Sequence, residues 1–202
     1  MLFSILIFDE PDSASRRDAV RQQHLDYLKG FDDQTFFAGP FTSDDEATDL
    51  GSLRLIELPD LAAAEKHIAQ EPYVIAGIQK RWLINPWKPL APHSWRDCPR
   101  TRGNIQALFY APDNPLAADV RKANKEAQDA YLAQHSALIM SYGDLTSQDG
   151  RSIEGNIALL DIPDLATGRD LVARSPYHTA GCYQDVMFHR WRFGRVFDRF
   201  KP

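Results

Sequence analysis

The chain has 202 residues, of which 44% are hydrophobic and 25% charged, and a formal net charge of −5, figures ordinary for a soluble globular protein. The acidic balance gives no general pull toward nucleic acid, and no stretch approaches the roughly 18 apolar residues that cross a bilayer. The two cysteines, Cys98 and Cys182, occupy unrelated places, which argues against a disulfide framework or a shared metal site and suits a reducing, cytoplasmic compartment.

Met1 runs straight into Leu2-Phe3-Ser4-Ile5-Leu6-Ile7-Phe8, and Asp9-Glu10-Pro11 ends the run. It lacks a basic leading segment, so it reads as a strand buried on both faces rather than a signal peptide. Asp12 or Ser13 caps a helix on which Val20, His24, Tyr27, Leu28 and Phe31 share one face, with Gly30 near its end. Thr35-Phe36-Phe37-Ala38 is a second strand, stopped by Gly39-Pro40, and the polar stretch from Thr42 to Asp49 is a loop. Leu53 to Leu58 is a third strand. Pro59-Asp60 opens a helix through Gln70, Pro72 starts a short helical turn ending near Gly77, and Ile78 to Trp87 supplies a last strand.

Shifted by 104 residues, the chain aligns with itself without a gap. Gly51 through Ala62, then Pro72-Tyr73, Ala76-Gly77 and Trp87 recur as Gly155 through Ala166, Pro176-Tyr177, Ala180-Gly181 and Trp191. Asp9 meets Asp113, and Gly39 meets Gly143. This tandem duplication predicts repeat 1 over residues 1–90, a proline-bearing linker over 91–103 and repeat 2 over 104–202. The order in each copy is β-α-β-β-α-β, the ferredoxin-like arrangement, which leaves one sheet face bare. The expected fold class is therefore α+β: two ferredoxin-like repeats packed sheet to sheet as a dimeric α/β barrel within one chain. Further homodimerisation is left open. The tail from Arg190-Trp191-Arg192-Phe193 through Arg195 and Arg199 reads as a terminal strand with basic edges.

His24 is the residue most suggestive of chemistry, because a ring nitrogen on an apolar helix face must find a partner. Asp9, directly after the first strand, is the expected one. A carboxylate on one imidazole nitrogen fixes the tautomer and raises basicity at the other, the orienter–base half of a catalytic dyad. A purely structural His–Asp staple is the alternative. In repeat 2 the histidine position holds Gln128, which could still donate to Asp113 but could not exchange protons. One working site and one retired or accessory site is the expectation. Arg17 and Arg21 flank His24 on the helix and could hold an anionic substrate group. Tyr73 is expected to lock the short helix, with a substrate contact as its second role. Phe36, Phe37 and Trp87 could line an apolar pocket. No dinucleotide, P-loop or nucleophile-elbow motif is present, so no cofactor is expected. His178 and Cys182 stand at helical i, i+4 spacing without a third ligand signature.

These features resemble the YCII (YciI-like) family: a first strand ending in Asp9, a helix carrying Arg21 and His24-Leu25, Ala38-Gly39-Pro40, and Glu71-Pro72-Tyr73-Val74-Ile75-Ala76-Gly77. The second copy keeps Asp113, Gly143 and Ser175-Pro176-Tyr177-His178-Thr179-Ala180-Gly181. The resemblance implies the dimeric α/β barrel and a catalytic His–Asp pair at His24 and Asp9. One member is similar to an enzyme that removes chloride from a chlorinated hydroxyhydroquinone. The expected function is a cofactor-independent enzyme of lyase or isomerase type, acting on a small aromatic or quinoid molecule. The alternatives are a small-molecule binding protein using the same pocket and a cofactor-free monooxygenase.

Overall fold

A computed structural model describes residues 1–91 and 93–200, the side chains of 199 and 200 excepted. Pro92 of the expected linker and the Arg199 side chain thus lie outside the described residues. The chain divides into two compact units, the first comprising Met1–Trp87 together with the residues from Arg192 onward, the second Lys88–Trp191. The tail beyond Trp191, which the sequence assigns to repeat 2, belongs to the first unit.

The first unit runs β1 (Leu2–Asp9), α1 (Ala14–Lys29), β2 (Thr35–Thr42), β3 (Asp49–Glu57), α2 (Leu61–Ala69), the single turn α3 (Pro72–Ile75) and β4 (Gln79–Pro89). Its strands pair antiparallel in the order β4-β1-β3-β2, the ferredoxin-like order. Phe3, Ile5 and Ile7 of β1 alternate onto the helix-covered face and pack with Ile56, Leu58, Ala64 and Ile68. Ser4 and Leu6, on the opposite face, are buried as well, as a continuous apolar run implies. Asp60 caps α2 through Ala63 N–H at 2.8 Å, whereas Ser13 stands at the N-cap of α1 with no side-chain bond.

The second unit repeats the plan as β5 (Ile105–Pro112), α4 (Ala117–Gln134), β6 (Ile139–Thr146), β7 (Ile153–Ile162), α5 (Leu165–Ala173), the turn α6 (Pro176–Thr179) and β8 (Met187–Trp191). The sheet order is β8-β5-β7-β6. Asp164 caps α5 as Asp60 caps α2. Even the irregularities recur, since the pairing shifts at Thr35/Phe37 and Phe41/Thr42 reappear at Ile139/Ser141 and Leu145/Thr146. Among the described residues, no helix is long and apolar enough to cross a membrane.

Three expectations are corrected. β2 does not stop at Gly39-Pro40 but continues to Thr42, with Pro40 in register with Ser52. Pro40 has no N–H to give the ladder, and its carbonyl accepts Arg192 N–H at 3.1 Å. β3 starts at Asp49 rather than Leu53, its added residues extending the pairing with β1 and β2. The terminal strand ends at Trp191 and gives way to a 3₁₀ helix over Arg195–Phe200.

Gly51 and Gly155, the first residues of the strongest repeat match, share one steric reason. A Cβ at Gly51 would lie 2.1 Å from the carbonyl oxygen of Ile7 and 2.5 Å from the Phe41 ring. At Gly155 it would lie 2.5 Å from the Ala111 carbonyl. Gly51→Ala is expected to destabilise the protein by about 2–3 kcal/mol through forced backbone displacement. Gly30→Ala, where the nearest atom is 3.4 Å away, should change stability by under ~1 kcal/mol. Urea unfolding of the two variants checks both values.

Candidate functional site

His24 projects from α1 toward α3. Its Nδ1 lies 2.8 Å from Oε1 of Glu71, and its ring stacks on Tyr73 at 4.1 Å and 14°. Glu71 is fully buried, and it is also the N-cap of α3, accepting Tyr73 N–H at 3.1 Å. Its other oxygen is bonded by Nη2 of Arg54, which projects from β3 and is 2% exposed. Arg54 Nη1 lies 2.9 Å from His67 Nε2, and Tyr27 Oη lies 3.1 Å from His67 Nδ1 and 2.8 Å from the His67 carbonyl.

The donors fix the protonation states. Guanidinium only donates, so His67 accepts at Nε2, is neutral, and carries its proton on Nδ1. That proton goes to Tyr27 Oη, whose own proton goes to the His67 carbonyl. Glu71 receives Arg54 and a backbone N–H, the environment of an ionised carboxylate, so His24 donates to it from Nδ1. His24 Nε2 is then a bare lone pair, and among the described residues nothing hydrogen-bonds it.

Both imidazoles are held neutral. Burial, then the charges of Arg54, Arg17 and Arg21, push His24 down to about 2, against a smaller opposing pull from Asp9. Burial and Arg54 push His67 down to about 3. The Glu71 carboxylate is already matched by Arg54, so a further cation finds no unpaired anion. This reverses the expected gain in basicity.

Asp9 is committed elsewhere. Arg17 bonds its Oδ2, and Gln79 Nε2 donates to its Oδ1 at 2.8 Å. The carboxylate that orients His24 is therefore Glu71, not Asp9. The geometric reason is that α3 carries Glu71 under the imidazole, while Asp9 at the end of β1 faces Arg17, one helical turn before Val20. Burial raises the Asp9 carboxyl despite Arg17.

His24 lines a cleft bounded by Arg17, Arg21, Arg54, Tyr73 and Asp49, and by Arg192, Gly194, Arg195 and Val196 of the tail. Its cavity volume is about 50 Å³, room for one or two waters. Five arginines face one another across it. Arg17 lies 3.5 Å from Asp49 and over the Tyr73 ring at 4.7 Å, and its Nε is buried without a hydrogen bond. Arg192 bonds Asp49 at 2.9 Å. The structure thus brings Arg17, Arg21, Tyr73 and His24 together. Phe37 is fully buried against Phe193 at 6.4 Å and is not among the cleft-lining residues. Phe36 and Trp87 pack edge to face at 6.2 Å, also away from the cleft.

Sequence reasoning missed Arg54, His67 and Glu71. The 104-residue offset contained the signal: the counterparts of His24, Arg54, His67 and Glu71 are Gln128, Ala158, Leu171 and Ser175. Four scattered polar residues change together because they form one network. In the second unit Gln128 Oε1 accepts Tyr177 N–H at 3.1 Å, the role of Glu71 in the first unit. It does not staple Asp113, which is clamped by Arg121 through two bonds of 2.6 Å.

The YCII-related domain model matches residues 1–88 and 105–192, and the chain belongs to that family. An uncharacterised Haemophilus influenzae protein is 35% identical over 95 residues, covering 44% of this chain and 97% of its own. Escherichia coli protein YciI is 33% identical with the same coverage. A mutant chlorite dismutase from Candidatus Nitrospira defluvii matches 98% of this chain and 95% of its own at TM-score 0.63 and 6% identity, a likeness of fold alone. The fold class is α+β, two ferredoxin-like repeats in one chain of the dimeric α/β-barrel type.

Two outcomes are expected. Glu71→Ser leaves the Arg54 charge buried without its partner and should cost about 3–5 kcal/mol. Adding His24→Gln, Arg54→Ala and His67→Leu, which copies the second unit, should recover more than half of that loss in urea unfolding. The second outcome concerns acid. An unfolded imidazole titrates near 6.5, so below that pH the unfolded chain binds protons that His24 and His67 refuse. Stability is then full above pH 6.5 and falls as pH drops toward 3, by about 1.4 kcal/mol per pH unit for each ring. His24→Gln should make the slope between pH 5.5 and 4.5 shallower by one such increment.

Proposed function

We propose that the first unit is the working half of a cofactor-independent enzyme that moves a proton on a small acidic ring compound, phenolic or quinoid, in an elimination or isomerisation. One observation carries the reading. A neutral imidazole, its tautomer set by Glu71 and Arg54, lines a cleft of arginines and keeps an Nε2 that no described residue hydrogen-bonds. Nε2 is the base that removes a proton from carbon or oxygen, and the resulting imidazolium returns it to the product or leaving group.

The arginines explain how so weak a base works. Burial, and after it the charges of Arg54, Arg17 and Arg21, suppress protonation of His24. An anionic substrate lying against Arg17 and Arg21 offsets that field, so proton affinity rises only when the substrate is present. The same cations stabilise the enolate or phenolate that forms as the proton leaves. Asp9 acts as a positioning residue by aiming Arg17, rather than as the orienter of the base. Tyr73 supplies a flat floor to His24 and Arg17.

A ring compound needs more space than about 50 Å³. The covering segment is the tail, held by Arg192 N–H to Pro40, Gly194 N–H to Ala38 at 2.8 Å, and the partly exposed Arg192–Asp49 pair. Opening of this tail, which also seats Val196 and Phe197 in the first unit, admits the substrate.

A second reading, binding without turnover, is favoured by the low proton affinity of His24. Exchange of acidic ring or α protons of quinols and lactones in deuterated water, followed by NMR, separates the two. His24→Ala should slow exchange by about 10²–10⁴-fold, with an unfolding midpoint that shows the protein intact. An unchanged rate in that folded variant defeats the catalytic assignment, and retained affinity in His24→Gln with no exchange by the wild type establishes binding alone.

A further inference from the structure

The second unit holds, at the same place in its repeat, a cavity of about 810 Å³, within the range of pockets that enclose small ligands. It is bounded by α4, by β6 and by the segment after β4. Arg121 and Lys125 line it where Arg17 and Arg21 line the first cleft, and Lys88 and Lys122 are added.

Two buried donors at this cavity lack partners. Arg121 is 6% exposed, and its Nη1, 3.9 Å from Asp144, makes no hydrogen bond. Tyr142 is 5% exposed, and its hydroxyl makes none either, Tyr183 and Gln128 lying beside it short of bonding geometry. An unpaired buried donor is costly unless something else satisfies it. The acids at the cavity are already engaged, Asp144 by Asn156 Nδ2 at 2.9 Å and Asp129 by Lys125. Lys88 and Lys122 make no ion pair among the described residues. The unmet demand is for an acceptor carrying negative charge.

An apolar slot of about 40 Å³ adjoins the cavity and shares Gln128, Leu132, Ile139 and Tyr142 with it. Its other walls include Ala158, Leu171 and Ser175, the residues that replace Arg54, His67 and Glu71. The space that the charged network fills in the first unit is here shrunken and greasy.

We infer that the second unit is a binding site for a small organic anion, a carboxylate or phenolate carrying an apolar ring, which it holds without proton transfer. The acidic group meets Arg121 Nη1, Tyr142 Oη and the two lysines, and the ring edge enters the slot. Gln128 at the histidine position cannot serve as a base. The inference does not depend on the catalytic reading of His24.

The test is calorimetric titration of the full chain with 1-naphthoate and its neutral counterpart 1-naphthamide, with amide NMR to locate the site. Naphthoate should saturate one site in the second unit, marked by shifts of Arg121, Gln128 and Tyr142, and naphthamide should bind there at least about tenfold more weakly. Lys88→Gln with Lys122→Gln, both outside the buried network, should weaken binding about tenfold through loss of two screened charges. Ala158→Val, whose two added carbons fit the slot, should weaken it about as much while keeping the unfolding midpoint. The naphthoate-induced shifts of Arg121, Gln128 and Tyr142 should persist in Arg21→Gln, which acts only on the first cleft. Absence of saturable binding, equal affinity for the amide, indifference to the second-unit variants, or loss of those shifts in Arg21→Gln would each overturn the assignment.

Discussion

The first unit is organised around a guanidinium that water does not reach. Arg54 sits in the middle of β3 at 2% exposure, and although burial lowers its proton affinity to about 10 it stays charged at neutral pH. A buried cation has to be matched by an anion and by hydrogen-bond acceptors, and each match constrains its neighbour. Glu71 supplies the charge, which forces His24 to donate to it. His67 supplies the other acceptor, which forces its own proton toward Tyr27. One charge in one strand thus sets the ionisation or tautomer of three further side chains, and the exposed result of this chain is the lone pair on His24.

The same constraint explains how the two repeats diverged. Losing Glu71 alone would strand Arg54, and losing Arg54 alone would leave a bare carboxylate under α3. Partial removal is therefore unstable, and the second unit lacks all four members at once, with Gln128, Ala158, Leu171 and Ser175 in their places. The parts outside the network, Arg121 on Asp113 and Tyr177 under it, keep the arrangement of Arg17, Asp9 and Tyr73. What survives is the arginine–aspartate clamp, which closes the end of the first strand of each repeat onto the first helix.

Much of this architecture was legible in the residues. The 104-residue offset, the continuous apolar run Leu2–Phe8 and the capping aspartate before each second helix give the element order directly, because a repeat, a strand and a cap are each readable along the chain. The errors at Pro40 and Asp49 arose where pairing partners, not local propensity, decide how far a strand runs. The site was legible in its histidine and in Arg17, Arg21 and Tyr73, which share the face of one helix or one motif. It was not legible in the partner of His24. Asp9 is the nearer carboxylate along the β-α connection, whereas Glu71 is 47 positions away in sequence and is brought under the ring only by the return of α3. Comparing the copies at every polar position, rather than at the histidine alone, would have exposed Arg54, His67 and Glu71 as a set.

The two cavities differ on equivalent backbone. In both units the segment after the last strand of a repeat donates to β2 or β6, with Gly194 N–H on Ala38 in one and Leu90 N–H on Tyr142 in the other, each at 2.8 Å. The covering main chain is therefore equivalent, and the difference between about 50 and about 810 Å³ arises from side chains. Arg54, Arg192 and Arg195 reach into the first cleft, where their counterparts in the second are Ala158, Lys88 and Ala91. Long cations fill the first space and narrow it, and burial strengthens the charge interactions of Arg54 and Glu71 beside His24. In the second, Ala91 stands in place of Arg195, and the lining keeps Lys88, Arg121, Lys122 and Lys125 around a volume left for an occupant. The proposed transformation of a ligand rests on the narrow, charged cleft and its unpartnered imidazole nitrogen, and the proposed retention on the roomy cavity with its unpaired donors.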